Sequence, residues 1–176
     1  MRNNDILNFI APCLNGELSE ALSGGEILCI TFDDGALSLS ASVKFDRLIA
    51  DRLILDAQKA VREYFGIRKV TLSPVYTGLE LSQDCAPMLI RAVKENIAAA
   101  NGFLDSAKFG FADGSVSLTV PDGAQLLIDA KTPEFLERFI SETFDKRVKV
   151  CINSGKTAVT IDSPEYDEMQ SKNVNI

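Results

Sequence analysis

Two Asp-Gly turns, each set between alternating apolar runs, constrain this chain more than any other feature. Asp34-Gly35 follows Glu26-Ile27-Leu28-Cys29-Ile30-Thr31-Phe32 and leads into Leu37, Leu39, Ala41 and Val43, which alternate with Ser38, Ser40 and Ser42. Asp113-Gly114 follows Phe109 and Phe111 and leads into Val116, Leu118 and Val120, which alternate with Ser115, Ser117 and Thr119. Asp-Gly favours the positive φ angles of a tight hairpin, and a period of two marks strands with one buried and one wet face. With Gly35 laid on Gly114, Val70 and Val148 fall at almost the same distance downstream, each after a helical stretch. Each hairpin also has helix before it. The pattern predicts an α+β fold of two tandem α-β-β-α-β units, each about 75 residues and each a three-stranded sheet with helices on one face.

The first unit spans residues 1–78 and opens with two short helices, at Asp5–Ile10 (ended by Pro12) and Glu17–Leu22 (ended by Gly24-Gly25). Asp46 is the expected N-cap of the longest helix, with Leu53, Ala57, Ala60, Val61, Tyr64 and Phe65 as its apolar stripe and Gly66 as its left-handed stop. A third strand runs from Arg68 to Tyr76, and Pro74 and Gly78 open a connector centred on 79–84. The second unit, 85–155, starts with a helix at Ala86–Ala99. After its hairpin come a short helix at Gly123–Ala130, a helix capped by Thr132 before Pro133, and a last strand at Arg147–Ile152. Residues 156–176 read as an acidic tail or linker.

The chemistry available is narrow. The chain has no histidine, so Ser-His and Cys-His nucleophile pairs and histidine metal ligands are excluded. It has no GxGxxG and no P-loop, and Gly24-Gly25 precedes a strand instead of a helix. Asp33-Asp34 is the one acid pair beside a glycine, and turn formation explains it, because Asp113-Gly114 does the same with a single acid. No catalytic residue, cofactor or metal site is therefore assigned. Cys13, Cys29, Cys85 and Cys151 have no zinc-ligand spacing, and Cys29 and Cys151 in strand-like runs are expected to be buried thiols. The N-terminus does not read as a signal peptide and no apolar run is long enough to span a membrane, so the expected compartment is the cytoplasm. A net charge of −7 disfavours general phosphate-backbone binding. Candidate interaction residues are Tyr64, near a helix end, and Lys108, Arg147 and Lys149, a basic edge on the second sheet. Phe65 is expected in the core.

The strand and helix order resembles KH-like domains of the prokaryotic type (type II order), which clamp nucleic-acid backbone with a GxxG loop between two helices. Here that connection reads Asp129-Ala130-Lys131-Thr132-Pro133-Glu134 and has neither glycine. A wider resemblance covers nearly the whole chain. Asp5-Ile6-Leu7-Asn8-Phe9-Ile10, Gly25-Glu26-Ile27, Tyr64-Phe65-Gly66, Ala86-Pro87-Met88-Leu89-Ile90, Leu118-Thr119-Val120 and the Phe139–Phe144 helix before Val148-Lys149-Val150 follow one another as in the N-terminal region of PolC-type DNA polymerase III α subunits. These are the replicative polymerases of low-GC Gram-positive bacteria. The second strand of the first unit departs from that family, having Leu37-Ser38-Leu39-Ser40 in place of aromatic residues. The resemblance implies a non-catalytic module that tethers the polymerase to replisome proteins such as clamp-loader τ, whose C-terminal domain the first unit is similar to. It implies that polymerase and 3′–5′ exonuclease chemistry belongs to domains further along the polypeptide. The alternative is a KH-like module for single-stranded nucleic acid.

Overall fold

A computed structural model describes residues 4–155; the acidic-tail segment, 156–176, lies outside the described residues. The elements run α1 (Leu7–Ile10), α2 (Gly16–Leu22), β1 (Glu26–Asp33), β2 (Ser38–Lys44), α3 (Asp51–Phe65) and β3 (Lys69–Val75). They continue with α4 (Ala86–Asn96), β4 (Lys108–Ala112), β5 (Ser115–Val120), α5 (Ala124–Asp129), α6 (Thr132–Phe144) and β6 (Lys149–Ser154). The strands form two three-stranded mixed sheets, ordered β1-β2-β3 and β4-β5-β6. In both, the hairpin is antiparallel and the last strand returns parallel to the central one. The fold is α+β, with one topology used twice.

Register aligns the two units residue by residue. Ser38 pairs with Lys69 as Ser115 pairs with Lys149, so Leu39, Ala41 and Val43 match Val116, Leu118 and Val120, and Val70 and Leu72 match Val150 and Ile152. Across the hairpins, Ile30 and Phe32 oppose Ala41 and Leu39 as Phe109 and Phe111 oppose Leu118 and Val116. The helices α3 and α6 both stop at a left-handed residue, Gly66 (φ 64°) and Asp145 (φ 54°). That alignment matches Ala57, Val61 and Phe65 with Leu136, Ile140 and Phe144.

The two turns differ from the expected superposition. Asp113-Gly114 is a two-residue loop with Gly114 at φ 68°. The first loop has four residues, 34–37, and its left-handed position is Leu37 (φ 48°) instead of Gly35. Leu37 and Gly114 are the equivalent pair: their carbonyls accept from Arg68 N–H and Lys149 N–H, each at 2.9 Å. Asp33 Oδ1 accepts from Ala36 N–H at 3.0 Å, so this acid serves the turn.

Other boundaries move for local reasons. Phe45 and Ile49 are buried where the chain crosses from sheet to helix, so α3 begins at Asp51 behind Ala50, and Asp46 is an exposed loop residue. Thr132 is not a cap. Lys131 takes the left-handed turn position (φ 58°), Thr132 is already helical, and its buried hydroxyl has no hydrogen-bond partner among the described residues. Pro74 belongs to β3, where it pairs with Val43. An edge strand tolerates proline whose nitrogen faces away from the ladder. Pro12 does not end α1 outright but starts a 3₁₀ turn at Ala11–Cys13. The register slips at Leu28, between Ile27 and Cys29. This bulge turns Ile30 and Phe32 to the helix side and Cys29 to the serine face opposite Ser42. Cys151 likewise sits beside Ser117. Both thiols are exposed, contrary to expectation, and all four cysteines are free.

One hydrophobic core runs through both units. Tyr76, just after β3, is the seam. Its ring lies 5.4 Å from Phe144 and 6.3 Å from Phe45, and its N–H donates to the Thr143 carbonyl at 2.6 Å. Its hydroxyl accepts from Ile49 N–H at 3.3 Å. Arg91 on α4 reaches back to α3 and holds Asp51 through Nε and Nη2 at 2.8–3.0 Å. Among the described residues no helix is long and apolar enough to cross a membrane.

Candidate interaction surface

The duplication provides an internal standard for burial. Positions matched by strand register and by the ends of α3 and α6 can be compared directly, so a difference in exposure between them shows what the second unit covers and the first does not. Phe109 is 5% exposed and Phe111 is half-buried; their counterparts Ile30 and Phe32 are 47% and 52% exposed. The turn Gln83–Cys85, leading into α4, packs on β4, and Gln83 Nε2 donates to the Phe109 carbonyl at 2.6 Å. The first unit has shorter helices before its hairpin. These helices, α1 and α2, hold the start of β1, where Ile6 N–H donates to the Gly25 carbonyl and Leu22 is fully buried. The hairpin end of β1 is left open, with Leu28, Ile30 and Phe32 all exposed on an edge strand.

The flanks of α3 divide by helical periodicity. Leu55, Gln58, Lys59 and Arg62 line a groove with Arg68, Lys69 and Val70 on the β3 side. Ala60 and Tyr64 fall on the other flank, toward β1. On this side the first sheet leaves Ile30 and Phe32 of β1 exposed, and Tyr64 of α3 is exposed as well. Asp33, the last residue of β1, and Asp34, the first of the loop, are both exposed.

Tyr64 is exposed, as an interaction residue must be, and packs edge-on against Phe65 with ring centroids 5.1 Å apart. Phe65, expected in the core, is 52% exposed, whereas its counterpart Phe144 is fully buried. The reason is the seam: Phe144 packs against Tyr76, whereas among the described residues the ring against Phe65 is that of exposed Tyr64. Tyr64 similarly matches Thr143, whose carbonyl takes the Tyr76 N–H. The end of α6 that docks one unit on the other is thus repeated, uncovered, at the end of α3.

The basic residues of the second sheet do not assemble. Lys108 pairs with Thr119 on one edge strand, and Lys149 pairs with Ser115 on the other, at the opposite end of β5. Lys149 Nζ lies 3.1 Å from Glu137, and neighbouring Lys146 lies 2.6 Å from Glu80. Arg147 is exposed beside a cleft at the β4–β5 turn. The Val150 N–H and then Lys149 hold the Glu137 carboxyl below the usual carboxylate range. Burial pushes the Tyr76 phenol up to about 12. Among the described residues, no group of three Cys, Asp or Glu side chains is placed to hold a metal ion.

No family model matches the chain, and no curated protein does.

Sequence reasoning singled out Tyr64, which is exposed, but gave no sign that Ile30, Phe32 and Phe65 are exposed too. The bulge at Leu28 hid the first two by changing the face on which they lie. The four cations Lys59, Arg62, Arg68 and Lys69 were also missed. They come together because α3 reverses into β3 at Gly66, and the only sequence signal is two basic pairs flanking a helix stop.

Proposed function

We propose that this chain is a non-catalytic protein-interaction module of the kind found at the N-terminus of PolC-type replicative polymerases. It tethers the polymerase to other replisome proteins, with clamp-loader τ the first candidate, in the cytoplasm. The polymerase comparison rests on the residue patterns and their order in the sequence. The observation that supports a docking role is the uneven burial of matched positions: Ile30, Phe32 and Phe65 are open where Phe109, Phe111 and Phe144 are partly or wholly covered. Large apolar side chains clustered on an edge strand and helix flank are what a partner buries.

The test is direct binding of purified clamp-loader τ and helicase-loading proteins to the full chain, at low salt and high concentration. Binding is expected to weaken about tenfold or more in Phe32→Ser and in Tyr64→Ala, a loss typical of a central anchor. Both residues are exposed, so the fold is expected to remain intact. No binding by any of these proteins, or binding unchanged in both variants, would overturn the proposal.

A further inference from the structure

We infer that the groove between α3 and β3 is a carboxylate cradle that accepts an acidic side chain of a partner peptide. In the second unit, the chain supplies this carboxylate itself. Glu137 on α6 accepts from the Val150 N–H at 3.0 Å and lies 3.1 Å from Lys149 Nζ. The matching backbone and lysine in the first unit are Val70 and Lys69. Aligning the helices at Gly66 and Asp145 places Gln58 where Glu137 stands. Gln58 is neutral, and its Oε1 is used elsewhere, accepting from the Leu72 N–H at 2.8 Å. Along a parallel edge strand, alternate residues turn their N–H groups to the same side. Val70 N–H therefore faces outward with that of Leu72, into the groove.

The surroundings fit a carboxylate. Lys59 and Arg62 on α3, Arg68 just before β3 and Lys69 at its start border a groove of about 230 Å³. None of the four has a salt-bridge partner within 4.0 Å among the described residues. Four close cations in a chain of net charge −7 repel one another, and an anion between them relieves that repulsion. Guanidinium forks on both walls suit a planar carboxylate. Leu55, partly exposed, and Val70 give an apolar floor for the residue beside the acid. Among the described residues no aromatic side chain lines the groove, which gives bases no stacking platform there, and the acidic chain as a whole repels phosphate backbones. The ligand class is an acidic peptide with an apolar neighbour. This inference stands on the comparison of the two units and is independent of the polymerase reading.

The experiment is an amide NMR titration of the full chain with the peptide acetyl-Glu-Glu-Leu-Glu-amide at ~50 mM salt, where charge contacts are weakly screened. A saturable shift of the Val70 amide is expected, together with no shift from the peptide carrying Gln in place of Glu. Gln58→Glu places a carboxylate beside the cradle and is expected to weaken peptide binding about tenfold or more. Arg62→Glu is expected to do the same, so the result does not depend on one variant folding. The inference is overturned if Val70 stays unmoved at millimolar peptide, or if both variants bind as well as the parent chain. Tighter binding of oligo-dT than of the peptide at Val70 would also overturn it, in favour of a nucleic-acid site.

Discussion

Replacing Phe144 and Phe65 by alanine, one at a time, compares the same fold position in two surroundings. Phe144 is fully buried, with the Tyr76 ring 5.4 Å away, and its loss leaves a cavity at the junction of the two units. Such truncations cost about 3–5 kcal/mol. Phe65 is 52% exposed, so roughly half of a phenylalanine's burial energy is at stake and no closed cavity forms. That change is expected to cost about 1 kcal/mol. For a chain of this length, a difference of about 3 kcal/mol separates the two melting temperatures by roughly 10 °C. Urea unfolding followed by circular dichroism gives both values on one scale. Equal losses in the two variants, or a larger loss for Phe65→Ala, would refute the claim that the end of α6 is a covered docking surface and the end of α3 an open one.

Three further outcomes follow from individual residues. Gly25→Ala would put a methyl 2.6 Å from the Phe45 ring, 2.9 Å from Ile6 and 3.0 Å from Val43, all buried, and is expected to cost about 1–3 kcal/mol in urea unfolding. Leu37→Gly relieves a left-handed leucine at a site where the second unit has glycine, and is expected to stabilise the chain by about 0.5–1 kcal/mol; a lower urea midpoint would contradict this. The Tyr76 phenol keeps its proton to about 12 in the folded chain, while an unfolded tyrosine ionises near 10. Its contribution is complete below about pH 10 and is lost as pH rises toward 12, because only the unfolded chain gains by ionising there. Alkaline unfolding curves are expected to show this loss in the parent chain and a smaller one in Tyr76→Phe.

The duplicated topology was legible because it depends on alternation, and alternation survives most substitutions. Val116, Leu118 and Val120 lie inward as the period of two requires, and Gly66 closes α3 as a left-handed glycine should. What could not be read depends on single backbone choices. The bulge at Leu28 moved Cys29 to the wet face and Ile30 and Phe32 to the helix side. The left-handed turn residue fell on Leu37, a residue type that gives no hint of positive φ. Asp145 caps α6 in the same conformation without being glycine, so the match of α3 with α6, and of Gln58 with Glu137, emerges only from the coordinates. Tyr64 was singled out for its position near a helix end, and it is exposed there. Its neighbour Phe65 was misplaced because a helical stripe shows which residues can face a core and not how far the core extends.

Hydrogen exchange of the full chain, with and without purified clamp-loader τ, tests the open first unit most directly. The account predicts slowed exchange in peptides covering Glu26–Asp33 and Ala60–Gly66, and no change in those covering Lys108–Ala112. Protection confined to the second unit, or binding that leaves the amides of β1 and the end of α3 unchanged, would contradict it.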